Sequence, residues 1–223
     1  MCCMLMREMR GKLILIEGLD RTGKTTQVDA LAERLRGCGL KVVAAKFPNR
    51  ESEIGQLINR YLTNRDFQLP DQAVHLLFSA NRWEYIEELK RQLNDGYCVV
   101  LDRYVFSGVA YSAAKGTPGM DLQWCLQPDK GLLKPDLTLF LTNEDSESIA
   151  NRAGFGEERY EDSDFQLKVK QKFHEAFDAY CQEGELRTVN VTGKGIEQVS
   201  AEIWDVIEPL LHETRATNEF KYF

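Results

Sequence analysis

Residues 17–26, EGLDRTGKTT, fit the spacing G-x-x-x-x-G-K-[ST] and place two charged side chains, Asp20 and Arg21, inside the loop. This composition suits a polyphosphate. Gly18 and Gly23 let the backbone approach closely, and the amides of Leu19, Asp20, Arg21, Thr22, Gly23 and Thr26 can point inward. Lys24 can reach the β and γ phosphates, and Thr25 offers a hydroxyl to Mg²⁺. A helix opening at Thr25 would add its positive end. Asp102, at the close of the apolar run Tyr97 to Leu101, stands where phosphate-loop proteins carry the acid that holds Mg²⁺ or its waters. The same position suits a helix cap, because Asp102 or Ser107 can open the next helix. Arg103 beside it would be costly to bury without an anion and is expected to face phosphate.

Three further basic residues stand near aromatics: FPNR at 47–50, FSANRW at 78–83 and DRY at 102–104. Phe78 and Arg82 are four residues apart and would share one helix face. An aromatic ring there can stack on a base while the guanidinium donates to its edge. By itself the same spacing also describes a core phenylalanine with a surface arginine.

The elements that must carry these residues alternate. Strands are expected at 13–16, 42–47, 97–101, 137–141 and 186–191. Helices are expected at 25–36, 53–62, 146–151, 165–183 and 196–211, with one long helix from a capping Asp71 to Asn94. That order implies an α/β fold with a five-stranded parallel sheet covered by helices on both faces. The chain has 223 residues and no repeat or linker, so one domain over 11–212 is expected, between an N-terminal extension at 1–10 and a C-terminal tail at 213–223 that both look loose.

The net charge of −7 argues against general binding to nucleic acid or an anionic membrane, so phosphate must be held by local cations. The cysteines at 2, 3, 38, 98, 125 and 181 form no C-x-x-C pair, which points to a reducing compartment, cytoplasmic or nuclear. The opening MCCMLMREMR has too short an apolar run for a signal peptide, and a disordered start is preferred over acylation of Cys2 and Cys3. The N-K-x-D of a guanine-reading switch is absent, and the only D-x-x-G lies within the phosphate loop. An enzyme is therefore expected rather than a nucleotide-operated switch.

Together the blocks EGLDRTGKTTQ, HLLFSANRWE, LDRYVFSGVAYS, DLQWCLQPDKGL, KPDLTLFL and GFGEERYE resemble the thymidylate kinase family, of the eukaryotic type, over about residues 11–211. The resemblance implies a P-loop NTPase fold with a short lid near 152–160, a homodimer through the helices beside the acceptor site, and the reaction ATP + dTMP → ADP + dTDP with Mg²⁺. It implies that Asp20 accepts from the sugar 3′-hydroxyl and that Arg21 reaches the transferring phosphoryl group. It further implies that Arg50 and Arg103 grip the monophosphate, that Phe78 stacks on thymine and that Arg82 donates to the thymine carbonyl. Phe47, Gly108 and Tyr111 complete the acceptor site, with Tyr111 beside the sugar. Arg152 would lie against adenine and Tyr160 near the acceptor; without the resemblance, 152–160 reads as a plain surface loop. The chain departs from the family pattern in its first ten residues, its last dozen and SESIAN at 146–151. A kinase for another pyrimidine nucleotide or a deoxynucleoside is the alternative, and the FPNR arginine favours a monophosphate over a bare nucleoside.

Overall fold

The computed structural model describes residues 10–144, 159–160, 162–212 and 219–223. Five strands, β1 (Leu13–Gly18), β2 (Val42–Lys46), β3 (Cys98–Asp102), β4 (Leu137–Thr142) and β5 (Leu186–Asn190), form one parallel sheet in the order β2-β3-β1-β4-β5. Successive residues of a strand face opposite ways. Leu13 and Leu15 accordingly join an aromatic-rich core with Phe106, Phe140, Phe173 and Phe177, while Ile14 and Ile16 join Leu31, Leu35, Ile203 and Ile207 on the other face. Both faces are buried, as an all-parallel sheet requires.

The helices that cover the sheet are α1 (Lys24–Gly37), α2 (Glu53–Thr63), α3 (Asp71–Trp83), α4 (Ile86–Asn94), α5 (Val105–Ala113), α6 (Leu122–Leu126), α7 (Ser163–Tyr180) and α8 (Ile196–His212), with a 3₁₀ turn at Gln127–Asp129. The helix expected at 146–151 lies outside the described residues.

Three expectations are corrected. The single helix over 71–94 is two, broken at Glu84 and Tyr85. The Tyr85 amide falls back to the Arg82 carbonyl at 3.2 Å, and Glu84 is drawn aside by Ser52 Oγ at 2.8 Å and Asn81 Nδ2 at 3.1 Å. The bend lets α4 turn Ile86, Leu89 and Leu93 to the core. Asp71 does not cap α3; Pro70 holds that place, and the Asp71 carboxylate accepts from Lys115 Nζ and Thr117 Oγ1. The ends are not loose where they are described. Arg10 is buried with a bidentate bond to Asp136, and residues 219–223 dock through a Leu133–Tyr222 bridge, with Phe223 packed on Tyr104 and Phe106.

Candidate active site

Strand register builds the first half of the site. Ile16 pairs with Asp102 and Gly18 with Leu141, so the loop leaving β1 runs beside the end of β3. A Cβ on Gly18 would sit 2.6 Å from the Leu141 carbonyl, so only glycine fits. The loop curls over the Leu19 carbonyl, which accepts from Thr22 Oγ1 at 3.0 Å and from Lys24 Nζ. Gly23 has φ 88°, and Arg21 and Arg103 are the two non-glycine residues with positive φ among those described, at 62° and 68°. Side-chain-bearing residues rarely hold that conformation, and such strain concentrates at functional sites.

Thr25 Oγ1 donates to Asp102 Oδ2 at 2.6 Å, and Lys46 Nζ approaches both, at 3.0 and 3.3 Å. Burial would raise the Asp102 carboxyl, but Lys24, Arg103, Lys46 and the Thr25 hydroxyl hold it below the usual carboxylate range. Its second oxygen, Oδ1, is buried with no hydrogen bond among the described residues. A charged oxygen left over beside a threonine hydroxyl and a phosphate loop fits Mg²⁺, which keeps several waters and binds through one or two protein oxygens plus phosphate. The described residues contain no cluster of three His, Cys, Asp or Glu that could cage a metal alone. Burial, followed by the nearby Arg103 charge, lowers the Lys24 amine to about 7.

Asp102 does not cap α5, and neither does Ser107. That work falls to Glu17, which sequence reasoning missed. Its Oε1 accepts from the Tyr104 and Ser107 amides at 2.9 and 3.0 Å, and its Oε2 from Ser107 Oγ at 2.5 Å. Burial raises its pKa. Arg103, turned by its positive φ, donates to Gly18 O and Ser107 Oγ and pairs with Asp20 Oδ1. Burial opposes its charge, yet the oxygens of Tyr111, Asp20, Glu17 and Asp102 raise its pKa. Gln166 of α7, also missed, donates to Asp20 Oδ2 at 2.8 Å and to Tyr160 O at 2.9 Å. Burial works against the Asp20 carboxylate, but Arg103, Lys24 and Gln166 among others lower its pKa.

The other half of the site hangs on α2, α3 and α5. Arg50 Nη1 donates to Asn59 Oδ1 at 2.9 Å. Phe78 is half-buried beside the α2–α3 cluster, while Arg82 is only 3% exposed and ion-paired with Asp129. It is thus not the surface arginine its spacing equally allowed. Arg159 donates to the carbonyl of Tyr61 in the last turn of α2 and to those of Asn64, Arg65 and Phe67 just past its end. Tyr160, next to it, stacks on Phe165 and is tilted against Tyr111, with ring centroids 5.7 Å apart. His75 is fully buried; since a carbonyl only accepts, its Nε2–H donates to Cys125 O at 2.8 Å and its Nδ1 accepts from Ser112 Oγ at 2.8 Å.

One cavity of about 370 Å³ joins these halves, a size typical of small-ligand sites. Lys24, Thr25, Thr26 and Asp102 line one end and Phe47, Phe78, Arg82 and Gly108 the other, with Asp20, Arg21, Gly23, Arg50, Arg103, Tyr111 and Tyr160 also in its wall. Gly18, Leu19 and Thr22 are not in the lining. Arg152 and the lid residues up to 158 lie outside the described residues. Lys46, Leu62 and Ser112 also line the cavity and had not been singled out from sequence, and Pro48, Tyr104 and Ser107 line it without having been assigned to the site.

The family model described as thymidylate kinase matches residues 16–203. A thymidylate kinase of Schizosaccharomyces pombe is 45% identical over 210 residues, covering 93% of this chain and 97% of that protein. The thymidylate kinase of Homo sapiens is 47% identical over 166 residues, covering 74% and 76%. A solved thymidylate kinase from Candida albicans, described as having broad substrate specificity, superposes with a TM-score of 0.85 at 46% identity and covers 96% of this chain and 98% of its own.

Proposed function

From a chain that belongs to the thymidylate kinase family and so phosphorylates dTMP to dTDP, we infer that ATP is the donor, with its polyphosphate along Gly18–Thr26 and Mg²⁺ beside Thr25 and Asp102. The observation that carries this reading is one continuous cavity lined both by the phosphate loop and by an aromatic–guanidinium pair. Bound Mg²⁺ would neutralise charge on the phosphates and orient the donor.

A phosphate oxygen of dTMP attacks the γ-phosphorus, the bond from that phosphorus to the β–γ bridging oxygen breaks, and ADP departs with the electron pair. The attacking oxygen is already anionic at neutral pH, so no strong general base is needed. Lys24 and Arg21 are assigned to the charge that spreads over the transferring group, and Arg50 and Arg103 to the acceptor phosphate. Asp20, anchored by Arg103 and Gln166, is assigned to the sugar 3′-hydroxyl and Tyr111 to the adjoining ring face. Phe78 stacks on thymine and Arg82 donates to its 4-carbonyl. Arg152 against adenine rests on the family pattern alone.

A homodimer is proposed as well. Leu57 on α2 and Leu76 on α3 are exposed apolar residues on the helices beside the acceptor site, which supports it, and light scattering tests it. A reducing cytoplasmic or nuclear setting suits the free thiols of Cys38, Cys98, Cys125 and Cys181.

ADP release measured across dTMP, dUMP, dCMP and dGMP tests the base assignment. Arginine only donates, and cytosine presents an amino group where thymine has the carbonyl. A polar mismatch in a closed site can cost about 10⁴ in kcat/KM. Comparable use of dCMP or dGMP would sink the Phe78 and Arg82 roles.

A further inference from the structure

Asp129 lies in the 3₁₀ turn between α6 and β4, 0% exposed, and the hydrogen bonds of its carboxylate all come from α3. Arg82 Nε donates to Oδ1 at 3.2 Å, Arg82 Nη2 to Oδ2 at 2.5 Å, and Ser79 Oγ to Oδ1 at 2.6 Å. The preceding Pro128 carbonyl accepts from Ser79 Oγ at 3.1 Å and from Trp83 Nε1 at 2.7 Å. Residues 79, 82 and 83 follow the i, i+3, i+4 pattern of one helix face, so α3 grips the turn with three side chains. The guanidinium is closed in from the other side by Gly108, where even a methyl group would come within 2.6 Å of Nη2. Only Nη1 makes no hydrogen bond among the described residues, and Arg82 lines the cavity.

We propose that Asp129 is a positioning residue that determines base specificity: it clamps and neutralises Arg82 so that the uncommitted Nη1 amino group is presented to the carbonyl edge of the pyrimidine. This rests on the assignment of Arg82 to the base. The carboxylate does two things that packing alone would not. A two-point grip fixes the plane of the guanidinium, leaving it no rotation with which to accommodate a different base edge. The paired charges also cancel, so the base end of the cavity holds a donor without a net positive charge to compete with Arg50 and Arg103 for the acceptor phosphate. Each partner alone would be an uncompensated buried ion.

The test compares kcat/KM for dTMP and dCMP in the parent, Asp129→Asn, Arg82→Gln and the double variant. Asparagine must turn its amide N–H toward a donor, so Arg82 loses a bond and its neutraliser. The dTMP/dCMP ratio should fall by at least about 10-fold, chiefly through KM for dTMP, while KM for ATP stays within about twofold. In the Arg82→Gln background, Asp129→Asn should shift the ratio by less than about twofold, because Asp129 acts through the arginine. Should Asp129→Asn fail to fold, Ser79→Ala, which removes one donor to the same carboxylate, should lower the ratio about threefold and decides the matter. If Arg82→Gln collapses the ratio but Asp129→Asn, or Ser79→Ala in its place, leaves it unchanged, the proposal is overturned and the Arg82 assignment survives. Additive effects in the double variant overturn it too. If Arg82→Gln itself leaves the ratio intact, the base assignment fails and takes the proposal with it.

Discussion

Adding one methyl group at Gly108 should injure catalysis far more than stability. The glycine is inside α5, and a Cβ built there meets Arg82 Nη2 at 2.6 Å, Nη1 at 2.8 Å and Cζ at 3.0 Å. The long arginine side chain would ordinarily swing aside at little cost. Here it is pinned by Asp129, and the Nη2 bond is already 2.5 Å long. To reach the 3.4 Å of ordinary contact the guanidinium must withdraw by about 0.8 Å, and a misplacement near 1 Å in a positioned site can cost about 10²-fold. The fold itself has little reason to suffer. Alanine gains about 1 kcal/mol over glycine in a helix interior, against a crowding cost of roughly 1–3 kcal/mol. A net change of that size moves the melting temperature by only about 5 °C in a chain this long. Gly108→Ala should therefore lose about 100-fold in kcat/KM for dTMP with KM for ATP nearly unchanged, measured by coupled ADP release alongside thermal unfolding. Activity within about threefold of the parent would refute the claim that Arg82 is confined. A melting temperature lower by more than about 10 °C, with ATP use equally impaired, would make Gly108 a packing residue only.

Arg21→Ala should slow single-turnover phosphoryl transfer by about 10³-fold or more while ATP affinity changes little; a loss of only a few-fold would make Arg21 a bystander. Thr25→Val should raise the Mg²⁺ concentration for half-maximal rate by roughly 10-fold, read from a metal titration after EDTA treatment, and an unchanged titration would remove the hydroxyl from the metal site. Burial, and then the Arg82 charge, lower the His75 pKa from 6.5 to about 4, so between those values the unfolded chain takes up a proton that the folded chain refuses. Stability should fall as the pH drops through that window, by at most roughly 3 kcal/mol. Urea unfolding at pH 7 and pH 5 measures this, and His75→Gln should flatten the slope; equal slopes in both proteins contradict it.

Legibility followed sequence distance. The phosphate loop, the strand into it and α1 were readable because each is a local pattern of glycine spacing and hydrophobic period. The strand ending at Asp102 was readable for the same reason. Helix α5 was foreseen only as the helix that Asp102 or Ser107 would open, with no bounds, since VFSGVAYSA is apolar on nearly every side and shows no amphipathic stripe, and its actual cap, Glu17, comes from 87 positions earlier than Tyr104. The break between α3 and α4 escaped because the helical pattern runs straight through it, while one of the groups that draw Glu84 aside, Ser52, lies 32 residues earlier in the chain. Gln166 and Asp129 carry no local signature. They matter through partners 146 and 47 residues away, although SANRW spaced on one helix face opposite QPD was a signal that could have been followed.

The Lys24 amine is buried and donates to the Leu19 carbonyl inside its own loop. An anion laid along the loop competes with that carbonyl for the same ammonium, so binding exchanges an internal bond for an external one. Occupancy of the loop would therefore be read in the backbone of residues 19–24, as a change in amide hydrogen exchange far from any catalytic assay.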